Sequence, residues 1–253
     1  MIAAGRSKQL VRALLRRFGF DIVRYLPKRR LKILEDAGIT VVLDVGANIG
    51  QYACALRDDG FAGRIVSFEP VADAFARLSE RAARDPRWEC RQLALGDLDT
   101  EATINLAADR ACSSLLNVGE RHSSASPDWA CVGHKPAVVR RLDTVCPELL
   151  ARGDRPYLKL DVQGLELEVL LGSQASLERI QALEAELSLD WIYDGQSLLP
   201  EVAGYLYERG FRLVWIERIL NDPLTDHLLQ VDAIFMRDPG SVSVPRPSGG
   251  TIP

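Results

Sequence analysis

The clearest pattern in the chain is an apolar run that breaks into glycines: Val41, Val42, Leu43 and Val45 surround Asp44, and Gly46, Ala47, Asn48 and Gly50 follow. Such a β-branched stretch predicts a strand buried on both faces, with Asp44 at its carboxyl end. The glycines predict a tight turn into a helix. The device then repeats. Arg64 to Phe68 predicts the next strand, ended by Glu69 and Pro70, with Glu69 lying 19 residues beyond Gly50. Residues 71 to 84 put Val71, Phe75, Leu78 and Ala82 on one helix face, and Pro86 stops them. Trp88 to Leu95 alternates as a third strand closed by Gly96 and Asp97, and residues 101 to 106 predict an additional strand.

Ala107 to Lys135 has no clear period, and an irregular insertion over 107–137 is expected to act as a lid facing the substrate. Arg140 to Leu150 predicts a strand end and a short helix interrupted near Pro147. In the segment from Tyr157, Leu158, Leu160 and Val162 alternate with Lys159 and Asp161, and Gly164 breaks the strand before another helix. Residues 180 to 189 are expected to be a strand with Glu186 near its end, and 198 to 209 a helix. Two last strands, 211–217 and 228–236, are joined only by a loop holding Asn221, Asp222 and Pro223. Parallel neighbours need a longer crossover, so these two should run antiparallel. The fold class is therefore α/β, a mostly parallel central sheet with a C-terminal antiparallel pair. One domain is expected over 41–237, preceded by a basic amphipathic segment (1–40) and followed by a Pro-, Gly- and Ser-rich flexible tail (238–253).

Composition narrows the class. With 47% apolar and 26% charged residues among 253, the chain reads as an ordinary globule. Five scattered cysteines without a CxxC predict neither a disulfide framework nor a zinc knuckle, which fits a reducing cytoplasm. No apolar run reaches the length of a membrane span, and no signal-peptide core is read at the N-terminus. Residues 1 to 32 hold ten Lys or Arg against Asp21, a balance of +9, which leaves −13 on the remainder of a chain with net charge −4. An acidic body opposes phosphate binding, so nucleic acid is not an expected partner.

The chemistry is read at the strand ends. In an open α/β sheet ligands bind just outside the carboxyl ends of the strands, where Asp44 and Glu69 stand. Glu69 is placed to take both hydroxyls of a ribose. The turn departs from GxGxxG, because Asn48 replaces the middle glycine and an anion precedes it. A carboxylate repels a pyrophosphate but attracts a sulfonium, so S-adenosylmethionine fits better than NAD. The plainer reading of Asp44 is a helix cap. Asp97 is positioned for an adenine amine or is simply a turn residue. Asp161 lies at the mouth of a central strand. Two rival classes stay open, an NAD-dependent dehydrogenase and a non-catalytic S-adenosylmethionine-binding module.

These motifs, LDVGANIGQY (43–52), IVSFEP (65–70), ALGD (94–97), RRLDTV (140–145), LKLDVQGLELEVLLG (158–172) and VDAIF (231–235), resemble the FkbM-type methyltransferases. The resemblance spans residues 40 to 237 in order. It implies a class I, Rossmann-like methyltransferase fold and methyl transfer from S-adenosylmethionine to a hydroxyl of a sugar or natural product. It further implies that Asp44, Gly46, Asn48 and Gly50 hold the methionine part, Glu69 the ribose and Asp97 the adenine, with Ala47, Tyr52 and Pro70 in the same motifs. Asp161 would sit beside the transferred methyl. Ser113 and Ser114 would line the acceptor pocket, with Gln163 and Glu186 on the same side. Neither residues 1–40 nor the insertion between Asn117 and Lys135 matches well enough to carry a particular acceptor over.

The proton acceptor is Asp161 or His134, the latter better matched in ordinary pKa and less securely placed. His122 and His227 read as solvent-facing or structural. Asp161 and Glu186 are a weak candidate pair for magnesium, which is possible but not favoured. Within 1–32, Leu10, Val11, Leu14, Leu15, Phe18 and Ile22 recur at helical spacing among basic residues. Such a helix either packs on the domain and closes one side of the site, or touches an anionic membrane surface through residues 6–32, placing the protein peripherally at the inner face. Vesicle flotation with anionic lipids separates the two: membrane contact predicts co-flotation that is lost when residues 1–30 are removed.

Overall fold

The structure, a computed structural model, describes residues 28–108, 113–119, 130–222 and 225–238. The chain runs α1 (Arg29–Asp36), β1 (Val41–Val45), α2 (Gln51–Asp59), β2 (Arg64–Phe68), α3 (Ala72–Ala82), β3 (Trp88–Arg91), β4 (Ala94–Leu95) and β5 (Thr100–Ala107). It continues with β6 (Cys131–Arg140), α4 (Leu142–Leu149), β7 (Pro156–Leu160), α5 (Glu166–Leu171), α6 (Gln174–Leu177), β8 (Ala182–Ser188), α7 (Leu199–Glu208), β9 (Phe211–Asn221) and β10 (Leu228–Arg237).

Seven strands form one sheet in the order β3-β2-β1-β7-β8-β10-β9, and β4-β6-β5 form a second, smaller one. In the large sheet β3, β2, β1, β7 and β8 pair in parallel, whereas β10 is antiparallel to both β8 and β9. This is the α/β, Rossmann-like methyltransferase fold with its antiparallel C-terminal hairpin. Strand order reverses between β1 and β7, so the carboxyl ends of these two strands open the crevice in which such sheets bind ligands.

Helices cover both faces because the strands are apolar on both. Val41, Leu43 and Val45 of β1 point into a core with Leu142, Leu149, Val169, Leu170, Val202 and Leu206 of the helices α4, α5 and α7. Val42 points the other way, to Leu31, Leu34, Leu56 and Leu78 of α1, α2 and α3. Asp44, two residues on, shares the face of Val42.

Three sequence expectations need correction. The strand expected over Trp88 to Leu95 is two: β3 pairs with β2, a turn follows in which the Leu93 N–H donates to the Arg91 carbonyl (3.1 Å), and β4 joins β6 in the other sheet. The irregular stretch expected over 107–137 gives way to regular structure before its end, since Cys131–Arg140 is strand β6, antiparallel to β5. Its alternation was hidden because only Ala137 and Val139 are buried along β6, the other positions facing outward or lying half-buried. The helix expected to break near Pro147 runs through it to Leu149. Residues 1–27, 120–129 and 239–253, which hold most of the basic N-terminal segment, His122 and the tail, lie outside the described residues.

The tightest point of the fold is the turn after β1. Gly46 has φ +79°, and a Cβ there would sit 1.8 Å from the Asp161 carbonyl oxygen. Gly46→Ala combines a left-handed φ with backbone overlap, and is expected to cost about 3 kcal/mol or more, read as a lowered midpoint in thermal or urea denaturation.

Candidate active site

The turn after β1 is locked to β2 by main-chain bonds: the N–H groups of Gly46 and Ala47 both donate to the Phe68 carbonyl, at 3.1 and 3.0 Å. Asn48 takes a left-handed φ of 47°. Its N–H donates to Oε2 of Glu69 (2.8 Å), while the Val71 N–H donates to Oε1 (2.8 Å). Glu69 is thus held from both sides, and burial still pushes its pKa up to about 7 against those two bonds. Behind it the Trp88 indole donates to Ser67 Oγ (2.9 Å), and Ser67 Oγ donates to Asp44 Oδ2 (2.8 Å). Asp44 is buried, and burial raises its pKa to about 6 despite the Ser67 hydroxyl and the Lys159 ammonium.

The opposite wall comes from β7, β8 and β10. Asp161 follows β7 and keeps 36% of its side chain exposed, with Lys159 Nζ 3.5 Å away. Gln163, at a left-handed φ of 54°, donates from Nε2 to Asp161 Oδ1 (2.8 Å) and Glu186 Oε1 (3.1 Å). The Tyr193 hydroxyl donates to Gln163 Oε1 at 2.6 Å, and Ser114 Oγ donates to the Gln163 carbonyl at 2.7 Å. Gln230 donates to Glu186 Oε1 at 2.9 Å. Burial pushes the Glu186 pKa well up, and the Asp161 carboxylate adds to it. Burial likewise raises Asp232, to about 6.

Under this wall lies Glu184, fully buried, gripped by Arg30 of α1 through Nε (3.0 and 2.9 Å) and Nη2 (2.6 Å) and by the hydroxyls of Tyr52 (2.7 Å) and Tyr157 (3.0 Å). Burial works against ionisation of Glu184, but the Arg30 guanidinium outweighs it and lowers the pKa.

Between the two walls is a cavity of about 400 Å³, within the size range of small-molecule sites. Asp44, Gly46, Ala47, Asn48, Tyr52, Glu69 and Pro70, which the sequence marks for a cofactor, line it together with Asp161, Ser113, Ser114, Gln163 and Glu186. Three expected residues do not. Gly50 stands behind the lining, where a Cβ would lie 2.8 Å from Trp88. Asp97 is exposed and its backbone abuts Gly172, because β4 has left the large sheet; Leu93, Ala94 and Leu95 line the cavity in its place. His134 is exposed on β6 with Nδ1 2.9 Å from Asn105 Oδ1, and does not line the cavity.

Sequence reasoning missed Lys159 and Asp232 in the lining, and Arg30 and Glu184 behind it. The signal was present: a lysine between leucines in β7, and acids two residues apart in β8, are charges that strand alternation places on one buried face. The interval between Asp161 and Glu186, the candidate pair for magnesium, holds the Gln163 amide donor. Among the described residues no group of three His, Cys, Asp or Glu side chains is arranged to hold a metal.

The motifs that build these walls match the methyltransferase FkbM domain over residues 44–213. The chain belongs to this family. Membership of a methyltransferase family sets the dehydrogenase alternative aside. It is 30% identical over 174 residues to the hexuronic acid methyltransferase AglP of Haloferax volcanii, covering 66% of this chain and 61% of that one. It is 32% identical over 178 residues to the AMB antimetabolite synthetase AmbE of Pseudomonas aeruginosa, covering 58% of this chain and 8% of that much longer one. The chain therefore spans less than two thirds of either relative. Among solved structures it resembles an rRNA methylase of Streptococcus thermophilus (TM-score 0.46, 12% identity, covering 85% of this chain and 99% of that one). It also resembles TehB of Haemophilus influenzae (TM-score 0.46, 8% identity, covering 85% and 64%). Among the described residues no helix is long and apolar enough to cross a membrane.

The raised carboxyl groups of this FkbM domain have a consequence for stability. Glu69 and Glu166 at about 7, and Asp44 and Asp232 at about 6, are raised above unfolded values of 4.5 and 3.8. Between about pH 7.5 and 5 the folded chain then binds more protons than the unfolded one, so stability rises as pH falls through that window. The ligand-free protein is expected to gain on the order of 10 °C in Tm from pH 7.5 to 5.5; a falling Tm in calorimetry would contradict the raised carboxyl groups.

Proposed function

We propose that this methyltransferase acts on a hydroxyl of a sugar or sugar-bearing small molecule. The observation that carries the reading is Asp161, partly exposed in the cavity and fixed by Gln163 and Lys159. The family relative whose name specifies hexuronic acid supports a sugar acceptor.

The cavity fits the cofactor in chemistry as well as in volume. S-adenosylmethionine supplies, when bound, a methyl group already made electrophilic by its sulfonium. Asp44 and Asp161 provide the negative field that favours that cation. Each oxygen of Glu69 accepts one backbone N–H and keeps capacity for a ribose hydroxyl. Leu93, Leu95, Val71 and Ile104 offer the apolar strip an adenine needs. On the acceptor side Ser113, Ser114 and Gln163 offer polar contacts.

Asp161 accepts the proton of the acceptor hydroxyl. The Gln163 amide holds one carboxylate oxygen, leaving the other toward Lys159 and the cavity. Glu186 shares the Gln163 amide, so the two carboxylates are oriented as a pair. Alignment by these groups supplies much of the acceleration, and a positioned base adds about 10² to 10⁴.

The reading is tested by screening glycosylated lipids and natural products with methyl-labelled cofactor. On the acceptor so found, Asp161→Asn should lower kcat by about 10² or more while S-adenosylhomocysteine binding, measured by calorimetry, is retained. His134→Ala should keep nearly full turnover. Near-normal kcat in Asp161→Asn would remove Asp161 as the base.

A further inference from the structure

We infer that the acceptor taken into this cavity is an uncharged or aminated sugar whose hydrogen-bond donors face Glu186 and Asp232, and that sugars carrying a carboxylate are rejected. The inference rests on the sugar-methylation reading above and narrows it in a direction that the hexuronic acid relative does not share.

The argument is one of charge. Asp44, Glu69, Asp161, Glu186 and Asp232 line the cavity against one cation, Lys159, and neither arginine nor histidine joins the lining among the described residues. Lys159 is not free to receive a second anion. It is buried, lies 3.5 Å from Asp161 Oδ2, and feels Asp161, Asp232, Glu184 and Glu186 together. Arg30, the nearest guanidinium behind the wall, is bidentate on Glu184. A uronic acid is ordinarily recognised by a guanidinium fork, and here its carboxylate would meet five carboxyl groups, with no arginine among the described lining residues. Partial protonation does not rescue it: burial raises Asp44 and Asp232 only to about 6, so both stay mostly ionised at pH 7.5.

The same wall suits hydroxyl or ammonium donors. Asp232 and Glu186 are register partners on β10 and β8, so both side chains leave the same face of the sheet. Oδ1 of Asp232 is buried with no hydrogen-bond partner, while Oδ2 lies 3.8 Å from Arg30 Nη2. The Asp232 side chain keeps 14% of its surface exposed and is among the residues that line the cavity.

At an effective dielectric of about 20, one uncompensated like charge about 5 Å away weakens binding on the order of 10²-fold. The test uses the full chain saturated with S-adenosylhomocysteine at pH 7.5 and matched methyl glycosides of the gluco, galacto and manno series, each as the neutral, 2-amino and uronic acid form. Ligand-observed NMR gives relative Kd values, and labelled S-adenosylmethionine reports methyl transfer. The expected result is binding by neutral or amino forms at least 10-fold tighter than by the corresponding uronate. Asp232→Asn with Glu186→Gln should narrow that gap; the wild-type comparison stands by itself where the double variant does not fold. Uronate binding equal to or tighter than the neutral form overturns the inference, as does binding by none of the glycosides. Neutral or amino forms that bind without ever being methylated would leave the charge rule standing and overturn sugar methylation instead.

Discussion

The ammonium of Lys159 is buried in the middle of the large sheet, and the arrangement of the site depends on how its charge is balanced. Burial by itself disfavours the charged form; Asp161, Asp232, Glu184 and Glu186 together reverse that and hold the ammonium more firmly protonated than in water. A buried ion is tolerable only when its partners are in place. Those partners come from the end of β7, from β8 and from β10, and Arg30 of α1 meets the remaining negative charge on Glu184. Four elements scattered over the chain are thereby tied to one point at the crevice between β1 and β7.

The opposite wall is held by geometry more than by charge. Gly46 and Ala47 hang from the Phe68 carbonyl, Asn48 adopts a left-handed backbone to reach Glu69, and Trp88 and Ser67 fix the carboxylate of Asp44. Gln163 is left-handed too, directly across the cavity. Backbone strain of this kind persists where surrounding structure over-determines it, commonly at binding sites. Here it aims two main-chain turns at the same 400 Å³ space.

The two walls leave a cavity with more carboxylates than its one ammonium can balance, and burial raises most of them. Perturbed carboxyl groups gathered in one cleft mark a functional site, and the sign of the imbalance is what a cationic methyl donor requires. The family match and the electrostatics thus meet on independent grounds, one from motif order along 44–213 and the other from burial and charge.

Much of this was legible in residue order. Apolar runs ended by carboxylates determined β1 and β2 to the residue, the loop around Asn221 to Pro223 determined that β9 and β10 return antiparallel, and the glycine turn with Glu69 marked one wall of the cavity. These are local properties: periodicity, turn chemistry and chain length between strands. Only the tertiary structure decided that β4 leaves the large sheet and takes Asp97 away from the cavity, and that residues 131–140 form a strand carrying His134 outside it. It alone brought Arg30 and Asp232, about two hundred positions apart, to either side of Glu184 and Glu186. Strand order and register set those meetings, and they follow from how the whole sheet packs, because no short window of sequence carries the charge balance of a buried site.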